Sequence, residues 1–183
     1  MHLRILHYKT VTSTNDVALE FANAGASEWT VVASEFQSKG RGRWTRRWSS
    51  PRGKGLLFSI LLRPRLRPSS AGILTHLAAK SVAEALKVQV GLAAKLKRPN
   101  DVLVGGKKIA GILTEARGNG KSMDYVVVGV GLNVSSRRLD IPAEATSIYL
   151  ETGLQTERDG ILNEILGAFR RHYEQLVAHD GQK

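Results

Sequence analysis

Apolar positions recur along the chain with two periods, and the switches between them lay out the elements. In STNDVALEFANAG, residues 13–25, Val17, Ala18, Phe21 and Ala22 fall at helical spacing behind hydroxyl and amide residues suited to capping. Gly25 stops the run, so a short helix is predicted. The β-branched run TVVASEF at 30–36 predicts a strand, and GLLFSILLRP at 55–64 a buried one. Between them lies SKGRGRWTRRWSSPRGKG, without apolar periodicity, which reads as a long basic loop. Pro64 and Pro68 punctuate the next connection, and Ser69 and Ser70 stand where a second helix needs caps. Leu74, Leu77, Ala78, Ser81, Val82 and Ala85 form the inner face of that helix.

From residue 94 the sequence AKLKRPNDVLVGGKKIAGILTEARGNGKSMDYVVVGVGLNV holds three apolar runs, separated by Gly105-Gly106 and by Gly118-Asn119-Gly120. Both separators are hairpin signals, so consecutive strands here are antiparallel. A last helix is predicted over 157–178, with Ile161, Ile165, Phe169, Tyr173 and Leu176 on one face. The order predicts an α+β fold, a mixed and mainly antiparallel sheet with helices packed on it, not the alternating units of a parallel Rossmann sheet. With 183 residues and no evident linker or internal repeat, one domain over 1–183 is expected.

Composition removes several classes of chemistry. The chain has no cysteine, which excludes a disulfide framework, a thiolate metal site and a cysteine nucleophile. No apolar run approaches the roughly 20 residues that cross a bilayer, and the amino terminus lacks a secretory pattern, so a soluble cytoplasmic protein without membrane contact is expected. The formal charge of +11 creates a field that attracts anions without choosing among nucleic acid, nucleotide and acidic protein.

The candidate chemistry sits between the predicted elements. Gly40, Arg41, Gly42 and Arg43 set two guanidinium groups beside residues that permit close backbone approach, a combination suited to phosphate oxygens. Arg46, Arg47 and Trp48 follow, and an aromatic ring among arginines can stack on a nucleobase. Lys97 ends a short strand before the turn signal Pro99-Asn100-Asp101, and Lys107 and Lys108 precede the apolar IAGIL. The Gly129-Val130-Gly131 triplet is not a dinucleotide fingerprint, because position 134 is Val and no crossover helix follows. Its glycines admit either a ligand, another backbone or tight core packing.

Four segments, STN at 13–15, GRGR with a later Trp at 40–48, KRPND at 97–101, and KKIAGIL with GVGLNV at 107–134, occur in the order of the motif set of biotin protein ligases, which the chain resembles over nearly its whole length. The resemblance implies a fold like the class II aminoacyl-tRNA synthetase core. It implies activation of biotin by ATP with Mg²⁺ to biotinyl-adenylate, then attack by a lysine of a biotin carboxyl carrier domain of a carboxylase. Ser13, Thr14, Asn15 and Gln37 match positions that hold biotin, and Gly40, Arg41, Gly42 and Arg43 match the loop closing over biotin and adenylate. Trp48 matches an aromatic packing against adenine, and Lys97 matches the lysine at the activated carboxyl and phosphate, with Arg41 and Arg43 as its catalytic companions. Asn133 is expected at the adenylate, Lys108 in support and Asp101 on the metal side.

Departures accompany the match. Arg98 stands where the motif usually has Trp. No helix-turn-helix precedes the catalytic region and no β-barrel follows the last helix, so a repressor role and nucleic-acid binding are not expected. A truncated domain that binds biotin but turns over weakly, or a lipoate-type ligase of the same fold, are the alternatives. A homodimer is an expected assembly, since relatives pair through this sheet.

Overall fold

A computed structural model describes residues 3–64, 66, 67, 70–119 and 122–180. Its framework is a seven-stranded sheet built from β1 (Arg4–Tyr8), β2 (Thr30–Ser34), β3 (Gly55–Leu62), β4 (Lys95–Lys97), β5 (Asp101–Val104), β6 (Lys107–Gly118) and β7 (Met123–Asn133), in the spatial order β1-β2-β3-β7-β6-β5-β4. Only the β1–β2 pair is parallel. The helices are α1 (Thr14–Asn23), α2 (Ala71–Val90), the short α3 (Ile148–Thr152) and α4 (Arg158–Asp180). The mixed, mainly antiparallel α+β architecture is the one the pattern predicts.

Period-two alternation divides the sheet into two unlike faces. Phe58, Ile60 and Leu62 of β3, with Val126, Val128, Val130 and Leu132 of β7, join Leu74, Ala78, Val82 and Ala85 of α2 and Ile161, Ile165 and Phe169 of α4 in the main core. On the opposite face only α1 is laid down, where Ala18 and Ala22 meet Val32, Leu61, Tyr125 and Val127. Further along β7 that second face carries Gly129 and Gly131 instead of large side chains, and the candidate site lies there.

The ends of the elements show where local signals held. Gly105 and Gly106 both have positive φ, as a two-residue hairpin requires. Gly118 lies in β6 at a register shift, and Gly120 is outside the described residues. Ser70 precedes α2 in a helical conformation with no side-chain cap, and Pro68 and Ser69 are outside the described residues. α2 instead closes at Gly91, whose φ of 69° accommodates the left-handed cap. Strand β1 and helix α3 are additions to the predicted list. The first is a five-residue edge strand of mixed polarity, and the second a single turn capped by Ser147, whose Oγ accepts from the Leu150 amide.

Helix α4 is pinned by an aromatic cluster. Trp29 meets Phe169 and Tyr173 edge-on, with ring centroids 6.2 and 5.5 Å away. Tyr173 donates to Glu28 at 3.3 Å, and burial together with that carboxylate pushes its phenol well above the usual range. Phe169→Ala removes the fully buried member of this cluster and is expected to cost about 3–5 kcal/mol, measured by urea unfolding. A loss below about 1 kcal/mol would show that α4 is not held by this contact.

Candidate active site

The floor of the site follows from strand register. Ser59, Gly129 and Leu113 lie side by side across β3, β7 and β6, and Leu57, Gly131 and Gly111 form the next row. A Cβ at Gly129 would meet Asn15 Oδ1 at 2.1 Å, and one at Gly131 would meet the Trp48 ring at 2.4 Å. A Cβ at Gly111 would meet the same ring and the Lys108 ammonium at 3.1 and 3.2 Å. At Gly129 and Gly131 the structure displays tight packing of side chains, from α1 and the basic loop, and not the approach of another backbone. Gly111, Leu113, Gly129 and Gly131 of the floor, with Asn15, Trp48 and Lys108 above it, line a pocket of about 320 Å³.

One part of the pocket is uncharged and hydrogen-bonding. Ser13, the N-cap of α1, makes no capping hydrogen bond through its hydroxyl. Gln37 Oε1 accepts from the Thr14 amide at 2.7 Å and from the Thr14 hydroxyl at 3.0 Å. Ser59, buried in β3, lies 2.7 Å from Thr14 Oγ1 and 2.6 Å from Asn15 Oδ1, with one proton to give. Asn15 Nδ2 donates to the Leu113 carbonyl at 3.3 Å and to Glu115 Oε2 at 2.6 Å.

The next part is aromatic, then cationic. Trp48 lies flat on the Gly111–Gly131 pair, and Lys108 Nζ sits 5.5 Å from its ring centroid. Lys108 also pairs with Asp101, its Nζ 2.6 Å from Oδ1. The turn between β4 and β5 is stitched to β6 at two points, since Ile112 N donates to the Asn100 carbonyl and Asn100 Nδ2 to the Ile112 carbonyl. That stitch sets Lys97, Arg98 and Asp101 on the pocket wall. Lys97 and Arg98 are exposed and, among the described residues, carry no ion pair. Arg43, Arg46 and Arg47 complete the rim.

Several expected residues land elsewhere or act differently. Arg41 and Gly42 line the pocket, but the Arg41 guanidinium is not the free phosphate cation suggested by the GRGR spacing. It is paired with Asp16 of α1 and, at 2.7 Å, with Glu115 of β6. Burial opposes its charge, and the hydrogen bonds and charges of Glu115 and Asp16 outweigh that, so its pKa is raised. Gly40 is outside the lining and lets the loop fold on itself, with its carbonyl accepting from Trp48 N at 3.0 Å. Asn133 is also outside it. Its buried Nδ2 donates to the Thr146 carbonyl, and Thr146 N donates to the Lys108 carbonyl, so Asn133 reaches the site at one remove. Lys108 thus has the more central place, and Lys97 the rim. Glu115, Ser59 and Asp16 were not anticipated. A serine inside GLLFSILL and a glutamate inside IAGILTE are the signals that mark the first two.

The model of the Biotin/lipoate A/B protein ligase family matches residues 8–133, the stretch that contains this floor, loop and turn. The chain belongs to this family. It is 36% identical over 172 residues to a biotin--[acetyl-CoA-carboxylase] ligase of Paracoccus denitrificans, covering 90% of this chain and 70% of that protein. It is 35% identical over 183 residues to the bifunctional ligase/repressor BirA of Bacillus spizizenii, covering 98% of this chain but only 56% of the relative's length. A biotin protein ligase from Aquifex aeolicus, solved in complex with biotin and ATP, superposes with a TM-score of 0.80 at 32% identity, over 96% of this chain and 72% of that one. The family fold is the class II aminoacyl-tRNA synthetase-like sheet and helices, as expected. Among the described residues no helix is long and apolar enough to cross a membrane.

Gly131→Ala inserts a methyl where the Trp48 ring lies. It is expected to displace the indole, shift its fluorescence to the red and cost about 1–3 kcal/mol. An unchanged emission spectrum would mean that Trp48 does not rest on this strand.

Proposed function

We propose that residues 1–183 form one catalytic domain that activates biotin with ATP to biotinyl-adenylate and passes the biotinyl group to a lysine of a biotin carboxyl carrier domain. The observation that carries the reading is the linear order of the pocket: uncharged hydrogen-bonding groups over Gly129, an aromatic ring over Gly131, and cations beyond. Successive rows on one strand face are about 7 Å apart. Biotin has the same order, a ureido head, an apolar ring and chain, and a terminal carboxylate.

In this reading Ser13, Thr14, Asn15 and Gln37 satisfy the ureido atoms, which would otherwise be buried without partners. Trp48 covers the apolar ring and chain rather than adenine, since it lies on the glycine pair between the head-group residues and Lys108. The biotin carboxylate attacks the α-phosphorus of ATP, the bond to the β-phosphate bridging oxygen breaks, and pyrophosphate leaves. Lys108, with Lys97 at the rim, stabilises negative charge as it develops on the phosphoryl oxygens, and Arg43, Arg46 and Arg47 draw in the polyphosphate. The acceptor lysine, as a neutral amine, then attacks the acyl carbon and expels AMP. Arg41 and Gly42 keep the loop over the mixed anhydride and exclude water.

A magnesium ion that arrives with the nucleotide would meet Asp101, whose Oδ1 pairs with Lys108. Among the described residues no three His, Asp or Glu side chains stand together as a metal cage, and Asp101 is the carboxylate on the pocket wall. Such an ion would offset phosphate charge. The similarity to the biotin--[acetyl-CoA-carboxylase] ligase of Paracoccus denitrificans and to the Aquifex aeolicus biotin protein ligase that was solved with biotin and ATP supports the reading. A lipoate-type ligase is favoured less, because a dithiolane offers no partner to Ser13, Thr14 and Asn15. The family match supports a cytoplasmic enzyme, and the net positive charge favours an acidic carrier. Assembly as a homodimer belongs to the same proposal.

Biotin-dependent exchange of pyrophosphate into ATP, with Mg²⁺ and a lipoate control, is the direct test. Exchange with biotin alone is expected, and exchange that ignores biotin or prefers lipoate would sink the assignment. Lys108→Ala is expected to lower kcat/KM about 10²–10³-fold. Lys97→Ala is expected to act mainly on the KM for ATP, so an equal loss of biotin binding would remove Lys97 from the rim role.

A further inference from the structure

Glu115 lies on the site face of β6, in the row that joins it to Val127 of β7 and Leu61 of β3, next to the row of Leu113, Gly129 and Ser59. Beside it in its own row stand two apolar residues, Val127 and Leu61, so its carboxylate takes its partners from the helix and loop above the sheet. One oxygen does two things at once. Oε2 accepts from Asn15 Nδ2 at 2.6 Å and from Arg41 Nη2 at 2.7 Å, while Oε1 accepts from the same Arg41 nitrogen at 2.9 Å.

The consequence for Asn15 follows from counting donors. Its two amide hydrogens go to Glu115 and to the Leu113 carbonyl, and its Oδ1 faces the Ser59 hydroxyl at 2.6 Å. The capacity left on the amide is a lone pair of Oδ1, which accepts a ligand N–H and refuses a ligand carbonyl. Were the amide turned over, its oxygen would face the Glu115 carboxylate, two acceptors without a proton between them. The carboxylate therefore fixes the sense in which the amide reads its ligand. The same group also ties the basic loop to the sheet, with Asp16 holding Arg41 from the other side. A carboxylate meets the amide donor and the guanidinium with acceptors at both of its oxygens and a charge opposite to that of Arg41, which neither Gln nor Ser supplies.

We propose that Glu115 is a positioning residue of the biotin pocket: it orients Asn15 as an acceptor for the ureido N–H and, through the same carboxylate, anchors the Arg41 loop over the adenylate. The proposal rests on the biotin reading given above. It separates two effects in two substitutions. In Glu115→Ala both partners are lost. In Glu115→Gln the side-chain oxygen can stay where Oε2 now is and keep Asn15 oriented, while the amide nitrogen takes the Oε1 position and meets Arg41 as a second donor.

The experiment measures biotin affinity by calorimetry on the whole chain, and the release rate of a non-hydrolysable biotinyl-adenylate analogue, with a thermal melt of each variant. Glu115→Ala is expected to bind biotin about 10–100-fold more weakly, with its preference for biotin over lipoate reduced in proportion, since lipoate has no N–H. Glu115→Gln is expected to bind biotin within about threefold of the wild type yet release the adenylate analogue about 5–10-fold faster. Biotin affinity unchanged in Glu115→Ala overturns the proposal, as does wild-type release from Glu115→Gln. If Glu115→Ala melts too early to be measured, the contrast within Glu115→Gln between retained affinity and faster release still decides it. A wild-type chain that binds no biotin overturns the underlying reading and this proposal with it, whereas normal wild-type binding with unaltered variants overturns this proposal alone.

Discussion

The structure depends on one asymmetry in a single strand. On one side β7 presents Val126, Val128, Val130 and Leu132 to the helices, and on the other it presents Tyr125 and Val127, then Gly129 and Gly131. The first side binds the fold together by burying apolar surface. The second ends its side chains where the site begins, so that Asn15 and Trp48 come down onto bare backbone. Because the two sets alternate along the same residues, neither can slip in register without destroying the other. The turn stitched by Asn100 and the loop anchored by Arg41 are then aimed at a surface whose position the core has already fixed.

Charge is arranged around this floor in graded fashion. The head-group region contains hydroxyls and amides in mutual hydrogen bonds, with Glu115 and Arg41 compensating each other at its border. Lys108 is half-buried and balanced by Asp101, and the remaining rim cations, Lys97, Arg98, Arg43, Arg46 and Arg47, carry no ion pair among the described residues. A field that rises toward the mouth attracts anions there and leaves the interior close to neutral.

Much of this was legible in the chain. The hairpin at Gly105-Gly106, the buried run at 55–62 and the helical face from Leu74 to Ala85 follow from period and turn chemistry alone, and the ordered motifs pointed to Ser13, Thr14, Asn15, Gln37 and Lys97 as pocket residues. What was not legible depended on partners far apart in sequence. Arg41 reads as a phosphate cation until Glu115, 74 residues away, is seen beside it. That Trp48 rests on the cross-strand pair Gly111–Gly131 was likewise out of reach of its local sequence. Asn133 reads as a ligand contact until its amide is traced to Thr146. The edge strand β1 escaped because its five residues bury too little to impose a period.

The division of the sheet into a thickly covered face and a sparsely covered one has an evolutionary meaning. The helices α2 and α4 seal the first face and contribute no residue to the pocket lining, so the core and the pocket share Ile112 and Val130 but otherwise draw on different residues. Substitutions above the glycines can therefore reshape the pocket while the other side of the same strands holds the framework constant.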